Sequence, residues 1–299
     1  VTGIVDPGLP AADVDDAVPA TVGAPGTAWR RTVRALGPSG SVAAVVVLLA
    51  VLAAVWPAAL GGAHPLAVHP AQALLAPSPL HPFGTDESGR DVLARVVAGA
   101  RASLTVGVVA TLVGGVAGVL LGLVAGLGGR IADAVVGRVL EVGFALPILL
   151  VALVVITVTG PGAVPATIAV GFATAPGYGR IVRGLVRTAR ASSVAETAVL
   201  LGRRPTWIVV HHVLPTALWP IVAVGTLGVG QAVVWASALS YLGLGTPPPA
   251  PEWGAMLADG RTYLDTAPWT SAFPGLAIVV TAAAVTVLGR RLRGLGVPR

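Results

Sequence analysis

The 299-residue chain contains no cysteine and no lysine, one methionine, and few aromatic (5%) or charged (11%) side chains. Without cysteine there is no disulfide, no thiolate metal site and no thiol nucleophile, and the redox compartment leaves no trace. Without lysine no phosphate-cradling Gly-x-x-x-x-Gly-Lys loop can form, so ATP is expected to be hydrolysed elsewhere. Gly-x-Ser-x-Gly and His-Glu-x-x-His are also missing, which removes two common arrangements for an intramembrane hydrolase. Charged residues make up about a quarter of an ordinary soluble domain, so their scarcity excludes a solvated globular protein.

What fills the chain is Ala, Val, Leu and Gly. Hydrophobic residues reach 55% and the mean hydropathy is +0.86, the signature of an integral membrane protein. This length accommodates about five to eight spans at roughly 20 apolar residues each. Six segments are predicted to span: 41–61, 103–127, 138–159, 164–181, 218–243 and 271–289. Runs such as "SVAAVVVLLAVLAAVW" and "LAIVVTAAAVTVL" are continuous, whereas a barrel needs short alternating strands, so the fold class is all-α. Gly114, Gly115, Gly118 and Gly122 recur at spacings that let helix backbones approach closely. Residues 1–30, rich in Pro, Gly, Ala and Asp, show no periodicity and are expected to form a disordered tail. That tail lacks the basic start of a signal peptide, and the first apolar run has no small-residue cleavage site after it, so the run reads as a retained helix.

All nineteen basic residues are arginines, and thirteen acids leave a net charge of +6. In a soluble chain that balance would raise nucleic acid as a partner; here the placement of the arginines decides for a lipid bilayer. With the N-terminus in the cytoplasm, fifteen arginines fall inside and only Arg90, Arg95, Arg101 and Arg261 outside. Both termini are therefore predicted to be cytoplasmic in a multi-pass chain. Segments 62–102 and 244–270 then face outward, while 182–217 and the tail 294–299 face inward.

The inward segment holds a polar island, "AETAVLLGRRPTWIVVHHVLP", at residues 195–215. Ser192 or Ser193 can cap a short helix with Glu196 in its first turn, where a negative charge suits the helix dipole. Gly202 ends that helix, and Pro205 permits a second one up to Pro215. The result is two short helices at a sharp turn, which on physical grounds alone serve equally as an amphipathic linker or as a contact surface.

The pattern Glu196-x-Ala198-x-x-x-Gly202, followed by Leu214-Pro215, resembles the cytoplasmic loop of permease subunits of bacterial ABC importers. Residues 81–107, "HPFGTDESGRDVLARVVAGARASLTVG", are similar to the outer segment of dipeptide, oligopeptide and nickel permeases. Residues 238–275, beginning "ALSYLGLGTPPPAPEWGAMLADG", resemble the same family's fifth-span exit and external loop. The resemblance covers roughly residues 31–293 and points to the C-type member of a permease pair. It implies the type I importer fold: six transmembrane helices with a cytoplasmic coupling helix. It implies as partners a second homologous permease, two ATPase domains and an external substrate-binding protein. ATP and magnesium would be held at the ATPase, with no cofactor on this chain. By position the coupling residues would be Glu196, Thr197, Ala198, Gly202, Arg203, Leu214 and Pro215, with Thr197 in place of the usual small residue. Contacts to the binding protein or an outer gate would involve Asp86, Glu87, Arg90, Asp91, Glu252, Trp253 and Asp259. The implied cargo is dipeptides or short oligopeptides, with nickel complexes or haem as the alternative. Two departures stand out: Ala236 replaces an acid found in many relatives, and the tail reads Gly289-Arg290-Arg291-Leu292-Arg293-Gly294 where the family often carries acids.

Other polar groups have plainer readings. Asp133 and Glu141 could serve a stand-alone proton-coupled transporter, since an acid inside a membrane is costly; Arg138, three residues from Glu141, favours a structural pair instead. That rival would also carry an internal repeat or paired broken helices. His211 and His212 point about 100° apart on a helix and cannot grip one ion together. His64, His69 and His81 are expected to be solvated loop residues. Asp86, Glu87, Arg90 and Asp91 are expected to form the charged face of a helix lying on the outer surface, with Val92, Leu93, Val96 and Val97 towards lipid.

Overall fold

The computed structural model describes residues 25–295, helical throughout most of their length, with one isolated bridge between Thr85 and Asp91 and no strand among them. Most of the expected N-terminal tail, residues 1–24, lies outside the described residues, as do 296–299 of the expected C-terminal tail. Contacts divide the chain into two units, residues 1–35 and 36–299. In the first, the described residues are helical from Pro25. The second unit carries everything that follows.

Helix α1 (Pro25–Val55) is interrupted at Gly37, where φ is 65°. Its apolar stretch ends at Val55, earlier than expected, because Pro57 starts a short 3₁₀ turn. The chain then loops to α2 (Val92–Leu127), followed by α3 (Arg130–Ala145), α4 (Ile148–Thr159) and α5 (Ala163–Arg190). Two short helices, α6 (Ser193–Leu200) and α7 (Pro205–Ile208), lead through a π-turn at Val209–Val213 into α8 (Leu214–Tyr241). The last helices are α9 (Trp253–Gly260) and α10 (Trp269–Leu295).

The packing centre is the crossing of α2 and α5. Gly114, Gly118 and Gly122 lie on consecutive turns of α2, and a Cβ added to them would come within 2.6–2.7 Å of the carbonyls of Gly171, Ala175 and Gly179 on α5. The absent side chains allow backbone-to-backbone contact, the small-xxx-small geometry that membrane helices use where lipid offers no hydrophobic drive. Gly115 points away from this seam, with nothing within 4 Å. Above the crossing, Ala110, Ala169, Val170 and Ala173 join Ala232, Ala236 and Leu239 of α8 in a buried cluster.

Two expectations are corrected. The third span is not one helix: α3 and α4 meet at 98°. Leu146 is extended (ψ 139°) before Pro147, as the ring of a following proline requires, and Pro147 brings no N–H to continue α3. Residues 86–97 do not form a surface helix either. Asp86–Arg90 form a turn, and α2 starts at Val92 and runs without a break for 36 residues, about 54 Å. Val92 and Val96 face the interior, packed with Trp253, Met256 and Ile278, not lipid. Among the described residues three single helices are long and apolar enough to cross a membrane, Gly37–Val55, Val92–Leu127 and Trp269–Arg291, and α3 and α4 meet that length and apolarity only as a pair.

Candidate functional site

The polar island becomes an elbow between α5 and α8. Arg190, at the end of α5, donates from Nη1 to the carbonyls of Gly126 (2.9 Å) and Leu127 (3.3 Å), tying the elbow to the last turn of α2. Ser192 caps α6: its hydroxyl accepts from the Ala195 N–H at 3.4 Å and donates to Ala189 O at 2.7 Å. Ala195 and Ala198 are buried against Val182, Val186, Ile208 and Val213, whereas Glu196 and Thr197 are exposed. The helix closes with a Schellman turn, Arg203 N–H to Ala198 O (3.1 Å) and Gly202 N–H to Val199 O (2.9 Å). That turn needs Gly202 in the left-handed region, at φ 72°.

Beyond the turn, Pro205 opens α7, but the second short helix does not stop at Pro215. Helical backbone continues from Pro205 through the π-turn at Val209–Val213 into α8, whose second residue is Pro215. Trp207 is the hub of the elbow. The Arg203 guanidinium lies over its ring at 4.7 Å, the His211 ring stacks on it at 4.7 Å, and His212 meets it edge-on at 5.2 Å. At the tip, Val199, Leu200 and Leu201 leave 62%, 82% and 74% of their surface exposed. This is an apolar ridge bordered by Glu196, Arg203 and Arg204.

At the opposite end of the bundle, loop 62–91 packs on the start of α10, where Trp269 Nε1 donates to Thr85 O at 3.1 Å and Phe83 stacks on Phe273, and α9 packs on α10, α8 and α2. Asp86 accepts from the N–H groups of Ser88 and Arg90 (both 2.9 Å) and from Arg90 Nε (2.6 Å), with Arg95 Nη1 at 3.4 Å. Arg90 also binds Glu87. Asp91 caps α2, accepting from Ala94 N–H at 2.8 Å, and pairs with His81 Nδ1 at 2.8 Å. Glu252 caps α9, accepting from Gly254 and Ala255 N–H at 2.9 and 3.0 Å and from the Ser103 hydroxyl at 3.2 Å. Trp253 donates from Nε1 to Val96 O at 2.8 Å. Asp86, Arg90, Arg95, Glu252 and Trp253 are all buried. The expected solvated charged face is thus an internal ion cluster, and among the expected outer contacts only Glu87, Asp91 and Asp259 reach the surface in part.

Between the two ends an apolar groove of about 570 Å³ opens along α2, α5 and α8, lined by Leu112, Val116, Leu120, Ile181 and Val224, with Tyr178 and Thr111 at its floor.

Residues 118–299 match the family described as binding-protein-dependent transport system inner membrane component. A dipeptide transport system permease protein, DppC, of Alkalihalophilus pseudofirmus is 36% identical over 267 residues, 89% of this chain and 88% of that protein. The chain belongs to this family. Other relatives of the permease are a probable D,D-dipeptide permease, DdpC, of Escherichia coli (33% identical, 86% of each chain) and a glutathione permease, GsiD, of Shigella flexneri (42%, 73% and 72%). In fold it is similar to the MetNI methionine ABC transporter in an inward-facing form, with a TM-score of 0.56 at 19% identity over 68% of this chain and 96% of that one. It is thus an inner-membrane permease of the peptide ABC importers, a transport subunit and not an enzyme.

In the permease, Glu196, Thr197, Ala198, Gly202 and Arg203 come together on one elbow; Leu214 and Pro215 lie apart from its tip, at the base of α8. Trp207 escaped the sequence reading although its spacing to Arg203 and His211, four residues each way, is the helical contact spacing. Arg183 escaped it too. From α5 it reaches Asp133 at 2.6 Å and Glu141 at 3.7 Å, so both acids of α3 share an arginine fifty and forty-two positions away. Arg138 also lies 3.4 Å from Glu141. The basic tail finds one partner in Ser39, to which Arg291 Nη2 donates at 2.8 Å.

Proposed function

We propose that this permease forms half of the translocation pathway of an ATP-driven importer of dipeptides or short oligopeptides, beside a second, homologous permease. The observation that carries the peptide cargo is its 36% and 42% identity, over 89% and 73% of its length, with permeases named for dipeptides and glutathione. Nickel complexes and haem are the alternative cargo within the same family. The chain crosses the membrane six times, with the α3–α4 pair as one broken crossing, both termini and the elbow in the cytoplasm, and the ion cluster outside. The apolar groove is this subunit's share of the pathway, closed by the partner permease.

The elbow passes the closure of the two ATPase domains to the bundle. Its apolar ridge at Val199–Leu201 supplies an anchor, and Glu196 and Arg203 supply charges beside it. Arg190 and the buried Ala195 and Ala198 fix the elbow to α2 and α5, so a displaced tip moves the helices that line the groove. ATP and magnesium stay on the ATPase, and the external binding protein delivers cargo to the outer end.

The test is ATP-driven uptake of labelled dipeptide into vesicles holding the whole complex. In the Gly202→Leu variant the added side chain meets open space, so its effect is conformational: the left-handed turn costs a non-glycine residue about 1–2 kcal/mol. ATP hydrolysis is expected to continue while uptake falls several-fold, with the complex still assembled. Uptake equal to wild type would reduce the elbow to a linker.

A further inference from the structure

The acids at the outer end are almost all spent. Asp86 serves two backbone N–H groups and two arginines, Glu87 serves Arg90, Asp91 caps α2 and holds His81, and Glu252 caps α9. Asp265 is exposed to solvent. Asp259, on the last turn of α9, is partly buried yet makes no hydrogen bond or ion pair among the described residues. Burial, and next the neighbouring Glu87 charge, hold its carboxyl above its ordinary value; Asp86 adds to this while Arg95 and Arg90 oppose it. A carboxylate withdrawn from water without a partner is a standing cost to the fold.

Asp259 lines a cleft of about 350 Å³ between the turn at Pro161–Gly162, the end of α8 and α9. That volume lies in the range of small-ligand sites, about 300–1,000 Å³. The rest of the wall is short: glycines, prolines and alanines, with the hydroxyls of Ser240 and Thr246, and no basic side chain. Arg261, two positions from Asp259, is directed over the Tyr241 ring at 5.6 Å. At its inner end the cleft shares Ser240, Gly245 and Thr246 with a narrow crevice that enters the bundle past Ser103 and Ser237.

We propose that Asp259 is the counter-ion of an entry site that takes the α-ammonium group of a peptide as it leaves the outer end for the pathway. The inference rests on the peptide-importer reading. One carboxylate in a cleft that also carries the hydroxyls of Ser240 and Thr246 matches an ammonium group, which has three protons to donate and needs no further acid. A bound metal would ask for more ligands, and no cluster of three or more His, Asp or Glu suited to one occurs among the described residues. Binding of the cation relieves the cost of the partly buried charge.

The test compares Asp259→Asn and Asp259→Glu with wild type in the full complex, in proteoliposomes, using labelled Ala-Ala delivered by the binding protein. Asp259→Asn is expected to lower kcat/KM for uptake by about tenfold or more, with Asp259→Glu recovering much of it. The affinity of the binding protein for Ala-Ala, its docking to the complex and basal ATP turnover should not change. Wild-type uptake should also fall as mild acid protonates the carboxyl, while the Asn variant follows a flatter profile; Glu87, Asp86, Arg90 and Arg95 are present in both, so the difference between the curves belongs to Asp259. Equal uptake by wild type and Asp259→Asn overturns the inference alone, as does a loss traced to weaker binding-protein docking. A wild type that imports no Ala-Ala overturns the peptide reading and the inference with it.

Discussion

At the residue scale the acids of α3 separate two kinds of transporter. A proton relay needs an acid that can gain and lose its charge in transit, but Asp133 and Glu141 both pair with Arg183, and Arg187 adds a second cation 3.8 Å from Asp133. We therefore expect Glu141→Gln to retain ATP-driven uptake near the wild-type rate, measured in the same vesicles with and without a proton gradient. Loss of uptake that tracks the gradient would favour the stand-alone transporter. Arg183→Met should be worse, because it leaves Asp133 and Glu141 without their shared partner, seen as a lower melting temperature of the detergent-solubilised complex. The α3 acids were legible in the sequence, and so was the local Arg138 pair. Arg183 was not, because only the packing of α5 on α3 brings it there.

At the scale of elements, spacing and breakers carried different amounts of information. The glycine period in α2 foretold a close helix contact, and the seam with α5 is built on three of the four glycines, but no period names its partner. The junction Leu146-Pro147 was a visible breaker inside a run otherwise apolar enough to hide it, and the hydropathy window joined α3 and α4 across it. The start of α2 was obscured for the opposite reason: charged residues at 86–95 look solvated until Asp86 and Glu87 are seen to pair with Arg90, and Asp86 with Arg95. The seam offers its own test. A Cβ on Gly118 would fall 2.5 Å from Tyr178 Cβ and 2.7 Å from Ala175 O, whereas one on Gly115 meets nothing. Gly118→Val should force α2 from α5 and cost about 1–3 kcal/mol or more, seen as a lower melting temperature of the detergent-solubilised complex. Gly115→Val should leave that temperature unchanged.

For the whole molecule, hydrogen bonds fix which end each helix reaches, independently of hydropathy. Ser39 of α1 meets Arg291 of α10 at the elbow end, and Ala53 packs with Val92 and Val96 at the other. Arg190 places the ends of α2 and α5 together at the elbow. Gly162, before α5, donates its N–H to Leu244 O at 3.1 Å, which puts the α4–α5 turn beside the end of α8, opposite the elbow. The bent α3–α4 pair therefore travels from one end of the bundle to the other, although neither half is a span by itself. Had it turned back, α5 could not run towards the elbow from where it starts. That path is the one the six proposed crossings require, and their even parity agrees with the arginine distribution. The absence of cysteine makes this directly measurable. Single substitutions Leu80→Cys, Leu264→Cys and Leu200→Cys all introduce a thiol at an exposed position in a chain that has no other. A membrane-impermeant maleimide applied to intact cells, with the outer membrane opened where there is one, should label Leu80→Cys and Leu264→Cys at once, and Leu200→Cys only after the cytoplasmic membrane is permeabilised. Labelling of Leu80→Cys and Leu200→Cys from outside, with Leu264→Cys protected until permeabilisation, would mean that α3–α4 does not cross, and would place the elbow beyond the reach of any cytoplasmic ATPase.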